Sequence, residues 1–164
     1  MASLPPTLAE IVTFFDGLTE VQRRDALLSY AAEAPRHAPC EEETYVAVDD
    51  REHPGCVDTV ILCMAVTPTG GIRLRAGLGP EVQTLTRALV AILCRGLEGC
   101  PLQAVANLPD DFIPAIVGEQ LMRSRARSVY HVLRRLRESA SGLLEPSKSS
   151  SRIDPNVRRS SHAG

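Results

Sequence analysis

The feature that most constrains the fold of this 164-residue chain is a change of hydrophobic period in its middle third. Residues 57–66 form a mostly apolar run that is rich in β-branched side chains and contains Asp58 as its one charged residue, and a Pro-Gly pair and a later proline bound that run. Such a run is typical of a buried β-strand. Turn-forming residues follow, and residues 72–76 then alternate apolar and basic side chains. The alternation predicts a returning antiparallel strand whose apolar side chains face the core and whose two arginines face solvent.

Helical periodicity flanks this predicted hairpin on both sides. Apolar side chains recur at helical spacing within residues 8–15. Thr19 and Gln22 then have the spacing of a capping box, which predicts a second helix through about Ala34. A short strand candidate lies at residues 44–48. Further helical segments are predicted after the hairpin, at residues 80–96, 101–106 and 127–141, with another segment starting at 109–111. This order predicts an α+β fold, in which several helices pack on a small antiparallel β-sheet.

Length and composition predict one domain over residues 1–145 and a tail over residues 146–164. The tail is rich in Ser, Lys and Arg and has almost no apolar side chains, so it is expected to be basic and disordered. The formal net charge of −2 argues against a nucleic-acid partner. No apolar run approaches the roughly 18 residues of a membrane span, and the N-terminus has no secretory pattern. We therefore expect a cytoplasmic protein with no membrane partner.

The cysteine and histidine pattern argues against a metal site. The five cysteines are Cys40, Cys56, Cys63, Cys94 and Cys100. No two of them have Cys-x-x-Cys spacing, and the four histidines form no zinc-binding motif. In a reducing compartment, each cysteine is by default a small buried hydrophobic residue. On that basis Cys63 and Cys94 are expected in the core, and Cys40 and Cys100, which lie in loops, are expected to be partly exposed.

Cys56 differs from the other cysteines in its local sequence. It follows Pro54-Gly55 and immediately precedes the predicted buried strand, so it is expected at a loop tip or at the mouth of the strand. A glycine before a cysteine allows a tight turn that presents the sulfur. The residues alone leave two interpretations open, a reactive thiol or one more buried loop cysteine.

The segment around Cys56 resembles a known family motif. Residues 55–61, Gly-Cys-Val-Asp-Thr-Val-Ile, are similar to the Gly/Glu-Cys-x-Ser-x-Val-aromatic loop of the SufE family of sulfur-acceptor proteins. Residues 87–93 and 108–112 match further blocks of the family in spacing, and residues 125–129 resemble its Arg-x-x-Gly-Leu/Met segment. The resemblance covers about residues 4–142. The chain departs from the family at four positions, which are Asp58 for the serine, Ile61 for the aromatic residue, and Ala88 and Ser128 for glycines.

The resemblance implies a function and a set of site residues. Cys56 would accept persulfide sulfur from a PLP-dependent, SufS-like cysteine desulfurase, stimulate that enzyme and pass the sulfur to a downstream acceptor or scaffold. The destination would be iron–sulfur cluster assembly or another sulfur pathway. The chain would need no metal and no cofactor of its own, since the PLP belongs to the partner, and it would have no independent activity. Arg125, with Arg127 as a second cation, and Asp58 are the further candidate site residues.

Two other functions remain open on the sequence. A small hydrolase with Cys56 as its nucleophile would need a histidine base and an oxyanion hole, and His53 and His131 are the available histidines. A non-catalytic interaction module would use all five cysteines structurally. If the chain does bind a desulfurase, its acidic segment 41–58 is the expected docking surface.

Overall fold

The fold is taken from a computed structural model, which describes residues 3–51 and 59–145. The predictions for His53, Cys56, Asp58 and the 146–164 tail therefore lie outside the described residues. The helices are α1 (Pro6–Asp16), α2 (Glu20–Glu33), α3 (Thr84–Gly96), α4 (Leu102–Ala106), α5 (Ile113–Val117), α6 (Glu119–Arg125) and α7 (Arg127–Leu144), with a 3-10 turn at Ala34–His37. The strands are β1 (Ala47–Asp49), β2 (Val60–Val66) and β3 (Ile72–Leu78). The predicted α+β class is confirmed.

The three described strands form one antiparallel sheet in the order β1-β2-β3. Val60 pairs with Leu78 and Val66 with Ile72, so the predicted hairpin is present over the whole of β2 and β3. β1 is shorter and starts later than the predicted strand at 44–48, and its pairing with β2 ends at Asp49 opposite Leu62. The end of β1 and the start of β2 therefore lie at the same end of the sheet. These two strand ends flank the segment that contains Cys56.

Helix α2 begins where the sequence predicts. The Thr19 hydroxyl accepts a hydrogen bond from the Gln22 backbone N–H at 3.2 Å, and the Gln22 side chain accepts one from the Thr19 N–H at 2.9 Å. This reciprocal pair satisfies two backbone donors that the first turn of a helix leaves free. The helix ends at Glu33, immediately before the 3-10 turn, which agrees with the predicted end at about Ala34.

Helix α3 is the centre of the hydrophobic core. It packs against α1, α2, β3 and α7, and most of its side chains are buried. The inner face of the sheet contributes to the same cluster through Leu62, Met64 and Leu74. Helix α7 closes the core with Val132, Leu133 and Leu136. Because α7 packs on both α3 and β1, its polar side chains can reach the end of the sheet.

The outer face of β3 differs from the prediction. Arg73 and Arg75 lie on this face, but they are half-buried under the segment that precedes β1 rather than facing solvent. The Glu43 carboxylate accepts a 2.8 Å hydrogen bond from Arg75 and lies 3.4 Å from Arg73, and Glu98 pairs with Arg73 on the other side. Hydrogen bonding from Arg75 lowers the pKa of Glu43. Alternation predicts which face a side chain occupies, but not what covers that face.

Two helical regions extend beyond the prediction. Helix α7 continues to Leu144 rather than ending at residue 141, and α6 was not predicted. The segment that starts at residues 109–111 continues into α5. Within the part of the chain that the structure describes, no helix is both long and apolar enough to cross a membrane.

A backbone contact at the start of β3 provides a test of the packing. Ile72 donates to the Cys100 carbonyl at 2.9 Å, and Gly99 donates to the Ile72 carbonyl at 2.7 Å. A Cβ atom on Gly71 would lie 2.8 Å from the Gly99 Cα and would overlap the Gly99 carbonyl. We expect Gly71→Ala to lower the free energy of unfolding by about 2 kcal/mol in urea denaturation, because backbone must move to accept the methyl group.

Gly142→Ala is the matched control for this substitution. Gly142 lies within α7, and a Cβ atom there would meet no heavy atom within 4 Å. Alanine is preferred over glycine in a helix, so the free energy of unfolding should rise by up to about 1 kcal/mol. Equal changes for the two variants would contradict the close approach of the two backbones.

Candidate functional site

The described residues that flank the Cys56 segment are held together by one buried arginine. Arg135 of α7 is 3% exposed. Its Nη2 donates to the Asp49 carbonyl at 2.8 Å and to the Val60 carbonyl at 2.7 Å, and its Nε donates to the Asp49 carboxylate at 3.2 Å. We call these hydrogen bonds the Arg135 clamp. One side chain thus bonds the last residue of β1 and the first residue of β2.

The Asp49 carboxylate is the counter-ion of the Arg135 clamp. It also accepts hydrogen bonds from the Arg51 backbone N–H at 3.0 Å and from the Arg51 guanidinium at 2.8 and 2.9 Å. Burial alone would raise the pKa of Asp49, but the hydrogen bonds from Arg51 and Arg135 outweigh burial and hold that pKa far below its ordinary value. Asp49 is therefore ionised at neutral pH, and the same pairing raises the pKa of Arg51.

The other described flank, at Thr59, is held by the end of β3. The Gly79 N–H donates to the Thr59 carbonyl at 2.9 Å. A Cβ atom on Gly79 would lie 3.1 Å from the Thr59 Cβ, which is closer than most side-chain neighbours approach. The Arg87 guanidinium of α3 donates to the carbonyls of Gly79 at 2.8 Å and Val82 at 3.0 Å, which ties this turn to the core helix. Thr59 is thus linked to α3 through Gly79 and Arg87, while Asp49 and Val60 are bonded directly to α7.

A polar cavity of about 340 Å³ lies beside the Arg135 clamp. Its described lining consists of Arg51, His131, Arg134, Arg135 and Glu138. Arg134 donates from Nη2 to the His131 Nδ1 at 3.1 Å, and Arg51 lies 3.3 Å from the Glu138 carboxylate. The described part of the lining has three guanidinium groups and one carboxylate, and two of these guanidinium groups, those of Arg51 and Arg135, also pair with the Asp49 carboxylate.

Arg125, the cation suggested by the family motif, lies elsewhere. It is the last residue of α6 and its side chain is exposed. Within residues 3–51 and 59–145, its guanidinium makes no hydrogen bond or ion pair, and it does not line the cavity beside the clamp. Arg127, the first residue of α7, is also exposed. A role for Arg125 or Asp58 beside Cys56 stays a prediction, since both Cys56 and Asp58 lie outside the described residues.

The four described cysteines are poorly suited to nucleophilic chemistry. Cys63 and Cys94 are buried, as predicted, but Cys100 is buried as well, so the prediction of partial exposure for Cys100 is wrong. Cys100 lies in the turn whose backbone bonds the start of β3. Burial raises the pKa of Cys94 to about 12 and that of Cys100 to about 11, and it also raises the pKa of Cys63. These three thiols are protonated at neutral pH.

Cys40 is exposed, as the sequence predicts, and its described polar neighbours are Glu43, Tyr45 and Arg75. The Cys40 Sγ donates to the Glu43 carboxylate at 3.6 Å, and its backbone N–H donates to the Tyr45 hydroxyl at 2.9 Å. The Arg75 guanidinium, which binds the same Glu43 carboxylate, interacts electrostatically with Cys40. Cys40 is thus the accessible thiol among the four described cysteines.

The acidic segment 41–58 carries less free charge than the sequence indicates. Two of its carboxylates are already paired within the chain, Glu43 with Arg73 and Arg75, and Asp49 with Arg51 and Arg135. Glu41, Glu42 and Asp50 are exposed. Only these exposed carboxylates, among the described residues of the segment, are available to a cationic partner. Among the same residues no group of three His, Cys, Asp or Glu side chains could hold a metal ion.

Sequence reasoning missed the residues that hold the flanks. A signal for Arg135 was present, because it lies three residues after Val132 on a helix whose buried positions repeat every three to four residues. A charged residue on such a face is buried with a partner. Asp49 lies one residue beyond the predicted strand at 44–48, but no spacing in the sequence connects it to a residue 86 positions away.

Comparison with known proteins identifies the class of this domain. The family model described as "SufE: Fe-S metabolism associated domain" matches residues 9–140. An uncharacterized SufE-like protein of Synechocystis sp. is 31% identical over 141 residues, which cover 85% of this chain and 83% of that protein. Uncharacterized SufE-like proteins of two Mycobacterium tuberculosis strains are each 30% identical over 147 residues, which cover 84% of this chain and 96% of those proteins.

A solved structure shares the fold. The solution structure of a hypothetical protein from Thermus thermophilus superposes with a TM-score of 0.64 at 25% identity, and the match covers 87% of this chain and 98% of that one. The chain therefore belongs to the SufE family. Membership supports a role in sulfur transfer in general and implies a cysteine desulfurase as the general class of partner.

The buried ion pair gives a pH-dependent prediction. The pKa of Asp49 is lower in the folded chain than its unfolded value of about 3.9, so its contribution to stability is present above that value and is lost as the pH falls towards the folded pKa. Asp49→Asn should lower the free energy of unfolding by about 3 kcal/mol near pH 7, the usual cost of breaking a buried pair. The difference from the wild type should shrink below about pH 4.

Asp110→Asn serves as the control, because Asp110 is exposed and lies 4.0 Å from Arg137. An exposed pair of this kind contributes less than about 1 kcal/mol. Urea denaturation across the acidic range measures both variants. If Asp49→Asn lowers the free energy of unfolding by the same amount at pH 3 and at pH 7, the ionised carboxylate is not the source of the stability.

Proposed function

We propose that this chain is a sulfur carrier that accepts persulfide sulfur on Cys56 from a PLP-dependent cysteine desulfurase, stimulates that enzyme and passes the sulfur on. The observation that carries the proposal is the combination of SufE-family membership with the state of the described thiols. Three of these thiols are buried with raised pKa values, and the fourth donates to a carboxylate. Cys56, in the segment that matches the family motif, is the remaining candidate.

The transfer step balances without an external oxidant or reductant. The Cys56 thiolate attacks the terminal sulfur of the persulfide on the desulfurase cysteine. A new S–S bond forms between Cys56 and that sulfur, the S–S bond on the donor breaks, and the donor cysteine leaves as a thiolate. The proton that Cys56 loses is available to the departing thiolate. The same exchange, repeated with a downstream acceptor or scaffold, would deliver the sulfur to iron–sulfur cluster assembly or another sulfur pathway.

The described surroundings support this role through charge. The cavity beside the two flanks is lined by Arg51, Arg134 and Arg135, and nearby cations favour a thiolate over a thiol. Neither the sulfur exchange nor the carrier role requires a metal or a cofactor bound to this chain. Arg125 and Asp58 remain proposed site residues on the strength of the family motif alone, Arg125 as a cation and Asp58 in place of the family's serine.

The hydrolase alternative is weaker on one specific observation. A cysteine hydrolase needs a histidine with a free lone pair to take the thiol proton. The Nδ1 of His131, the described histidine beside the flanks, accepts from the Arg134 guanidinium, which is always a donor. The imidazole proton is then on Nε2, so His131 has no lone pair available as a base.

Stimulation of a desulfurase by the purified chain tests the proposal. The wild-type protein should increase the rate at which a SufS-like desulfurase turns over cysteine to alanine, because accepting the sulfur frees the donor cysteine for the next cycle. Cys56→Ser should abolish the stimulation. Cys40→Ser is the matched control, since Cys40 is the exposed thiol among the described cysteines, and it should stimulate as the wild type does.

Three outcomes would contradict the proposal. Stimulation that survives Cys56→Ser would show that another group receives the sulfur or that binding alone activates the enzyme. Loss of stimulation in Cys40→Ser with normal folding would move the acceptor to Cys40. Failure of the wild-type chain to stimulate any desulfurase of its source organism would leave the carrier role without support and favour an interaction module.

A further inference from the structure

We propose that Arg135 is a positioning residue for sulfur transfer, which acts by holding together the two flanks of the Cys56 segment. The inference rests on the proposed function, in that sulfur transfer to Cys56 is the step that it would accelerate. Its structural content rests only on described atoms, which are the Arg135 guanidinium, the Asp49 carboxylate and carbonyl, and the Val60 carbonyl.

The clamp replaces strand pairing where the sheet stops. The backbone pairing of β1 with β2 ends at Asp49 opposite Leu62. Beyond that point Arg135 Nη2 donates to the carbonyls of both Asp49 and Val60, so the two oxygens lie at most about 5.5 Å apart, the sum of the two hydrogen-bond distances. Strand pairing already places Asp49 opposite Leu62 and Val60 opposite Leu78. The clamp adds two hydrogen bonds that join the flanks directly at the end of the β1–β2 pairing.

Arginine is the residue type that this position requires. Its planar fork presents several donors in fixed directions, so one side chain can bond a carboxylate and two carbonyls at once. Arg135 is itself buried, on a helix whose Val132 and Leu136 belong to the hydrophobic core, so the guanidinium is held on an element that is packed into the core. The Asp49 carboxylate neutralises the buried charge, and Arg51 bonds the same carboxylate from the solvent side. The buried charge of the clamp is thus both paired and hydrogen-bonded.

Holding the flanks should speed transfer by reducing the conformational freedom that is lost when the donor persulfide meets the acceptor thiol. Reactions between groups whose positions are restricted in advance avoid part of that entropic cost. Loss of a hydrogen bond to a charged group corresponds to about a tenfold change in an equilibrium or rate. Removing the guanidinium should therefore slow transfer within the complex, while the surface that binds the desulfurase is unchanged.

The experiment compares Arg135→Gln and Arg135→Lys with Arg137→Gln in the full-length chain. Arg137 lies on the same helix and donates to the Leu108 carbonyl at 3.0 Å, so its loss removes a tertiary hydrogen bond without touching either flank. Two readouts are measured. One is amide hydrogen exchange in peptides that cover residues 47–62, and the other is single-turnover sulfur transfer from a loaded desulfurase as a function of acceptor concentration.

The expected result is specific to the clamp. Arg135→Gln should raise exchange in residues 47–62 about tenfold and lower the saturating transfer rate about tenfold, with the half-saturating concentration within about twofold of wild type. Arg135→Lys should give values of exchange and transfer rate between those of Arg135→Gln and the wild type, because lysine keeps the positive charge but makes fewer hydrogen bonds. Arg137→Gln should leave both readouts within about twofold of wild type and raise exchange near Leu108 instead.

Several results would overturn the proposal. Equal exchange at residues 47–62 in Arg135→Gln and Arg137→Gln would show that no clamp operates. A raised half-saturating concentration with an unchanged saturating rate would make Arg135 a determinant of partner binding. If Arg135→Gln does not fold, the proposal is tested with Arg135→Lys alone. Exchange and transfer rates equal to those of the wild type in Arg135→Lys would show that the guanidinium group is not needed. If the wild-type chain accepts no sulfur, the proposed function fails, and the exchange comparison still decides whether the clamp exists.

Discussion

A buried arginine on the last helix bonds the end of one strand to the start of the next, and the described geometry around the Cys56 segment depends on it. Arg135 reaches this point because α7 packs through Val132, Leu133 and Leu136 against the core. The Asp49 carboxylate compensates the charge, so the cost of burying a guanidinium is offset by an ion pair and two backbone carbonyls. Without the helix in place, nothing described would hold the two flanks together beyond the end of the β1–β2 pairing.

The distribution of charge follows from the same pattern of pairing. Carboxylates that the sequence presents as an acidic run are consumed inside the fold, where Glu43 binds the arginines of β3 and Asp49 binds those beside the Cys56 segment. The described lining of the cavity at the flanks contains three arginines, of which Arg51 and Arg135 share the Asp49 carboxylate. Burial distinguishes the described thiols from one another, because it raises the pKa values of Cys94 and Cys100 and so keeps these two thiols protonated and unreactive. A chain with five cysteines can thus offer chemistry at one of them while the core stays unreactive.

Much of the fold could be predicted because its signals are local. The Thr19–Gln22 capping box and the apolar run of β2 depend on residues near one another in the chain, and both predictions are confirmed. The burial of Cys100 was not predicted because its turn packs against the start of β3, and no local pattern shows that a loop residue meets a strand about 28 positions earlier in the chain. Arg135 and Asp49 were missed because their pairing joins residues far apart in the sequence, and periodicity shows only that a position is buried, not what lies opposite. The proposed acceptor, Cys56, came from a motif, and the roles of the candidate residues Arg125 and Asp58 stay predictions for the same reason.

The most direct measurement is the location of the transferred sulfur. A desulfurase charged with sulfur-labelled cysteine is mixed with the wild-type chain, free thiols and persulfides are blocked, and peptide mass spectrometry assigns the label among all five cysteines. The account predicts one labelled sulfur atom on the peptide that contains Cys56, and none on the buried Cys63, Cys94 and Cys100. Label on Cys40 in place of Cys56, or a chain that remains unlabelled while the desulfurase stays charged, would contradict it.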